Sequence, residues 1–227
     1  MTAPVKFQDA WRRQNQECLM KPHPHQHVDG CLPSQQPLLL SIFFFFCMAW
    51  GCQARTEETP TVEPGKLYAG PIVNIHAPAT AGWSLSRADT QGMNFIRRDV
   101  LTGVTFSAEV LISKFDPALD LLEAAKTIAG RRSHSERYRV LESKFELSSE
   151  RSYPGVRFRG LIQDTQARTP EGTVSLPIHV RSLFFRHPTK KDLVFDVTFS
   201  QRGGSAKAEL EAQAESFIRG VEVPLGK

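Results

Sequence analysis

The chain has 227 residues, with 28 Lys and Arg against 24 Asp and Glu and a formal charge of +4. That length suits one compact domain rather than an array. The basic residues occur in runs no longer than two, which excludes the clustered stripe that nucleic-acid binding needs. All four cysteines lie within the first 52 residues, so the remainder has no disulfide and no thiolate metal site and must stand on its apolar core.

Residues 38–50 form an oily run without a charge. As a helix it would span roughly 20 Å, short of the ~30 Å hydrocarbon core of a bilayer. This length fits the apolar centre of a secretory signal better than a spanning helix. The segment ahead of it carries Lys6, Arg12, Arg13 and Lys21 but also Asp9, Glu17 and Asp29, and is too long for an ordinary leader. A start at Met20, followed by Lys21, would give a leader of normal length. Residues 1–19 are therefore read as an over-extended start, with a cytoplasmic extension as the competing reading.

After the run come Ala49, Trp50, Gly51 and Cys52. This arrangement resembles the lipobox of bacterial lipoproteins, although that family prefers Leu where Ala49 stands and a small residue where Trp50 stands. The resemblance implies cleavage after Gly51 and acylation of Cys52, which becomes the first mature residue. Two or more acyl chains give stable anchoring, whereas one gives only marginal binding. By the same resemblance, Gln53 after the cysteine favours the outer membrane of a Gram-negative cell. Simple secretion and an uncleaved anchor are the alternatives.

Residues 52–66 hold a single large apolar residue, Val62, among Pro60, Pro64, Gly65 and charged neighbours. Such a segment reads as a flexible tether. The globular domain is expected over 67–227. Short alternating pieces lie at 73–77 and 83–85. Two longer strands flank a turn at 101–103, and Val104, Phe106, Ala108, Val110 and Ile112 share one face of the second. Asp116-Pro117 predicts a helix start, and Leu121, Leu122, Ala125, Ile128 and Ala129 follow at helical spacing up to Gly130.

Strands are then expected from Tyr138 to Leu147 with an irregularity, around Val156 to Ile162, around Ile178 to Phe184, and from Leu193 to Phe199. A polar loop at 164–173 and a turn at 187–191 separate the later ones. Ser205 is read as the cap of a closing helix with Ala206, Leu210, Ala214, Phe217 and Ile218 on its buried stripe, and Gly220 as its left-handed exit. Outward positions of the strands, such as Leu161, Leu183 and Phe185, are also apolar. A sheet covered on both faces explains this; a sheet wet on one side does not. The fold class expected is α+β, an α/β/α sandwich whose mostly antiparallel sheet carries one helix on each face.

This order, with the Asp116-Pro117 helix and the closing helix through Glu215, Ser216, Phe217 and Ile218, resembles the PsbP-like fold, a group that includes DcrB-like lipoproteins. The resemblance covers 73–223 and rests on pattern and order. It implies a binding or assembly factor and brings no catalytic set.

The sequence holds no Gly-x-Ser-x-Gly elbow, no His-Glu-x-x-His pair and no phosphate-cradling glycine loop. No cofactor and no metal ligand set is expected. His23, His25 and His27 alternate, but inside the leader. His179 and His187 would stand about 26 Å apart on an extended strand, too far to share a metal. The most unusual polar group is Arg157, Arg159 and Arg181 with His179, which alternation throws to one side of the sheet. It reads either as a patch for an acidic ligand or partner, since Arg grips carboxylates bidentately, or as a solvated face balanced by Asp164, Glu146 and Asp196. The expected function is that of a non-catalytic binding or assembly module in the bacterial cell envelope. Its partners would be the lipid membrane, through acylated Cys52, and an envelope protein, with the domain facing periplasm or exterior. An exported enzyme of unrecognised type and a purely structural envelope protein are the other readings.

Overall fold

The computed structural model describes residues 60–224, apart from 150, 152, 170, 171 and 207, together with the backbone of residues 5 and 6. Gly51, Cys52 and the oily run lie outside the described residues. In chain order the elements are β1 (Val5–Lys6), β2 (Leu67–Ala69), β3 (Asn74–His76), β4 (Ser84–Asp89), β5 (Gly92–Asp99), β6 (Val104–Lys114), α1 (Leu121–Arg132) and β7 (Tyr138–Ser148). They continue with β8 (Gly155–Thr169), β9 (Gly172–Arg186), β10 (Leu193–Arg202), α2 (Glu209–Arg219) and β11 (Val221–Glu222). No helix among the described residues is long and apolar enough to cross a membrane.

A seven-stranded sheet in the order β4-β5-β6-β10-β9-β8-β7 is antiparallel throughout. In a second, small sheet β3 pairs antiparallel with β2 and β11, and β1 lies parallel beside β2. Strand alternation divides the large sheet's apolar residues between two cores. On one face Phe95, Phe106, Val110, Phe185, Phe195 and Phe199 pack with Leu210, Ala214, Phe217 and Ile218 of α2. On the other, Val156, Phe158, Val180, Phe184 and Val194 pack with Ala124, Ala125 and Ile128 of α1. Each face is thus closed by its own helix, and the α+β sandwich expected from the doubly apolar strands is the fold found.

The boundaries differ where local chemistry and packing compete. The sequence starts α1 at Asp116-Pro117, but the cap is Asp120, whose Oδ1 accepts from the amides of Leu122 (2.8 Å) and Glu123 (3.4 Å). Asp116 instead accepts from the Ala118 amide and closes a turn ahead of the helix. Gly130 does not end α1. The helix runs on to Arg132, whose side chain is held over the sheet by the buried carboxylate of Asp196 described below. Ser205 does not cap α2, which begins at Glu209 behind Ala208 without a side-chain cap. Gly220 follows α2 with φ −73, not left-handed. Its small size serves packing instead, since a Cβ there would stand 3.2 Å from the Cβ of His76.

The expected polar loop at 164–173 is mostly strand. β8 and β9 pair as far as Thr169 and Gly172, with a register shift between Asp164 and Ala167 absorbing the irregularity. Val62, read as tether, is buried in the core, and its amide donates to the Trp83 carbonyl at 2.7 Å. The irregularity expected in β7 falls between Val140 and Glu142.

Candidate functional site

The structure brings the four residues of the predicted patch together. Arg159 stands opposite Arg181 in the β8–β9 register and Leu161 opposite His179, so Arg157, Arg159, His179 and Arg181 share the face that carries α2. The helix then answers their charge. Arg157 donates bidentately to Glu215 at 2.5 and 2.9 Å, and Arg181 donates to Glu211 at 2.5–2.6 Å. The hydrogen bond from Arg181 lowers the carboxyl of Glu211 below its ordinary range. Burial, reinforced by Arg181, lowers the pKa of His179 and favours its neutral form. Arg97 adds a third pairing, with Glu209 at 3.6 Å, and Arg151 donates to the carbonyls of Ile218 and Val221 at the end of α2. Much of the patch is therefore the clamp that holds α2 on the sheet, with Arg159 left exposed beside it.

Of the carboxylates expected to balance the patch, Glu146 stands opposite Arg157 in the β7–β8 register, and Asp164 and Asp196 sit elsewhere. Asp164 is buried between Arg137 (2.7 and 2.8 Å) and Arg202 (2.5 Å), and the Arg137 hydrogen bonds lower its pKa to about 2. Glu146 pairs with Lys144 at 2.5 Å. Asp196 lies on the opposite face, against Arg132 at 2.5 Å. There Arg132 also donates to Thr198 at 2.6 Å and reaches Glu109 at 3.5 Å, while Thr198 donates to Asp196 and contacts Ser182. Burial pushes both Asp196 and Glu109 upward against the pull of Arg132. This cluster joins the end of α1 to β6, β9 and β10.

A different set of cations is not used up in this way. At one end of the large sheet a cleft of about 740 Å³ opens between the β4–β5 turn, the end of β6, the end of α1 and the β9–β10 turn. Lys114, Arg131 and Lys190 line it, with Asp192 as its one carboxylate, over a floor that includes Ile72 and Ile112. Among the described residues none of the three cations is held in an ion pair. Arg131 lies 5.7 Å from the centre of the Phe115 ring.

The β9–β10 turn that presents Lys190 is fixed by His187, whose Nδ1 accepts from the amides of Lys190 (3.0 Å) and Thr189 (3.2 Å). Burial lowers the pKa of His187, which keeps Nδ1 free to accept. Sequence reasoning passes over this cleft because its cations come from three separate elements. The Lys190-Lys191 pair in a turn is its only local trace.

No family model and no curated protein matches this chain. Solved structures similar to it include the Ran-binding protein Mog1p of Saccharomyces cerevisiae, 14% identical, with a TM-score of 0.41 over 67% of this chain and 90% of that one. Another is LpqN of Mycobacterium tuberculosis, described as involved in cell envelope biogenesis, 10% identical, with a TM-score of 0.40 over 72% of this chain and 89% of that one.

Proposed function

We propose that this chain is a membrane-tethered, non-catalytic binding or assembly module of the bacterial cell envelope, anchored through acylated Cys52. The observation that carries the binding half is the cleft in which Lys114, Arg131 and Lys190 face a single carboxylate. Elsewhere Arg97, Arg157 and Arg181 are bound into the α2 clamp, and Arg132, Arg137 and Arg202 pair with buried aspartates, where their charge serves the fold. Three cations that share one carboxylate and make no ion pair among the described residues are poised for an acidic partner instead. Support for the anchoring half is the uncharged run at 38–50 that ends at Gly51 and Cys52, followed by a short polar stretch before the domain. The sandwich order is also the one that the PsbP-like resemblance implies.

The anchoring half is tested by mass spectrometry on the protein purified from its own membranes. The expected first residue is Cys52 carrying a diacylglycerol thioether. A bare Cys52, or recovery of residues 1–51 still attached, ends that half. The binding half is tested by capture from detergent-solubilised membranes, comparing the native chain with Lys114→Glu/Lys190→Glu. The expected result is a specific partner lost in the variant while its melting temperature is kept. Equal capture by both chains removes the cleft from the function.

A further inference from the structure

Strand β6 outruns strand β5. The last register pair between them is Gly92 with Leu111, and Ile112 donates its amide to Gln91 in the turn at 2.8 Å. Beyond that point β6 continues through residues 112–114, paired with β10 on its inner side only. In an antiparallel strand the N–H and C=O of successive residues point alternately to the two sides. The Phe115 amide donates inward to Asp192, and the Ile112 amide points outward to Gln91. The backbone N–H and C=O of Lys114 therefore face outward, into the cleft, where β5 has already ended.

The side chains around this open edge are arranged on both sides of the sheet plane. Ile112 packs against the α2-side core, and Lys114, two residues on, shares its face. Arg131 comes from α1 on the opposite face, and Lys190 from the β9–β10 turn at the sheet end. Cations standing above and below an open strand edge match the side chains of an added strand, which also alternate above and below. A single small anion would call for donors converging from one side.

We propose that the cleft binds an extended, carboxylate-rich segment of a partner protein as an added strand on the outer edge of β6. The segment exchanges backbone hydrogen bonds with Lys114 and places neighbouring carboxylates toward Lys114 on one face and Arg131 on the other. Lys190 attracts the same segment from the sheet end, and Asp192 disfavours carboxylates placed directly on it. This rests on the reading above that the domain is a binding module, and it names the chemistry of the partner. The edge is short, so charge supplies much of the attraction, which makes the interaction weak at high salt.

The test is fluorescence anisotropy on the full chain in detergent, with a labelled dodecapeptide of Thr-Glu-Glu-Val repeats as the probe. Three controls accompany it: a charge-matched peptide with proline at the threonine and valine positions, inorganic phosphate, and vesicles of anionic phospholipid. Saturable binding of the probe is expected, weakened about tenfold or more by Lys114→Glu/Lys190→Glu and by raised salt. The proline peptide, which cannot extend a sheet, is expected not to bind. Equal binding of the proline peptide overturns strand addition, and absence of probe binding overturns the proposal outright. If phosphate or vesicles bind through Lys114 and Lys190 while the probe does not, the partner chemistry is wrong but the binding-module reading stands. If nothing engages the cleft and the membrane-capture comparison also shows no difference, both fail together.

Discussion

Asp196 sits at the centre of the sheet with no water to spread its charge. Its ion pair with Arg132 at 2.5 Å and its hydrogen bond from Thr198 offset the cost of burial only in part, so its carboxyl stays above the ordinary range. Removing Arg132 would leave Asp196 and Glu109 as two half-compensated acids. We predict that Arg132→Met lowers stability at neutral pH by about 3–5 kcal/mol. Both acids would then have folded pKa values raised still further, and a raised carboxylate gains stability as pH falls toward its unfolded value. The defect should therefore shrink on acidification, and urea unfolding at pH 5 and pH 8 checks this; an equal loss at both would refute it. His187 has the opposite need. It must stay neutral for Nδ1 to accept from Thr189 and Lys190. Its pKa is lowered by burial, so the unfolded chain takes up a proton that the folded one refuses, and stability falls as pH drops below about 6.5. The imidazole should titrate below that value by NMR, and a midpoint at or above it would sink the account.

At the scale of elements, α2 is attached by more than its apolar stripe. Glu209, Glu211 and Glu215 meet Arg97, Arg181 and Arg157 from three different strands, and Arg151 takes the carbonyls at its end. These pairs are partly exposed, so each contributes modestly. The double variant Glu211→Gln/Glu215→Gln should cost about 1–2 kcal/mol and release α2 amides first in hydrogen exchange, because the helix loses orientation before the sheet loses its core. Uniform loss of protection across the sheet would instead mean that the clamp is not local to α2. Strand β7 presents the opposite situation. It is the outer edge of the sheet, and Val140, Leu141 and Leu147 on it are exposed. Arg139, Glu142, Lys144 and Glu146 on the same strand supply the charges that keep such an edge from pairing with other chains.

For the whole molecule, acid should act chiefly through Asp164, which ties the start of β7 to β8 and β10 through Arg137 and Arg202. Its folded pKa of about 2 lies below the ordinary aspartate value near 4, so its contribution is present above that value and lost as pH falls through 2. Asp164→Asn should flatten the acid limb of a stability–pH curve while lowering the plateau, and an unchanged limb would place acid sensitivity elsewhere. The architecture was largely legible beforehand. Alternation with apolar residues at both parities, as in Leu183, Phe184 and Phe185, requires cover on two faces, and two amphipathic stripes were available to provide it. Helix ends were less legible, because Asp116 and Asp120 are equally able caps and only packing of α1 on the sheet selects between them. The argining-rich strand face could be foreseen as a group on one side, since alternation is a local rule. Whether its charge was free could not, because the carboxylates that answer it arrive with a helix some thirty residues or more along the chain. Local periodicity thus settled the sandwich, while long-range packing alone decided which cations are clamps and which line the open cleft. Ion pairing depends on distance in space, and the linear order of residues carries no record of that distance until the sheet has closed.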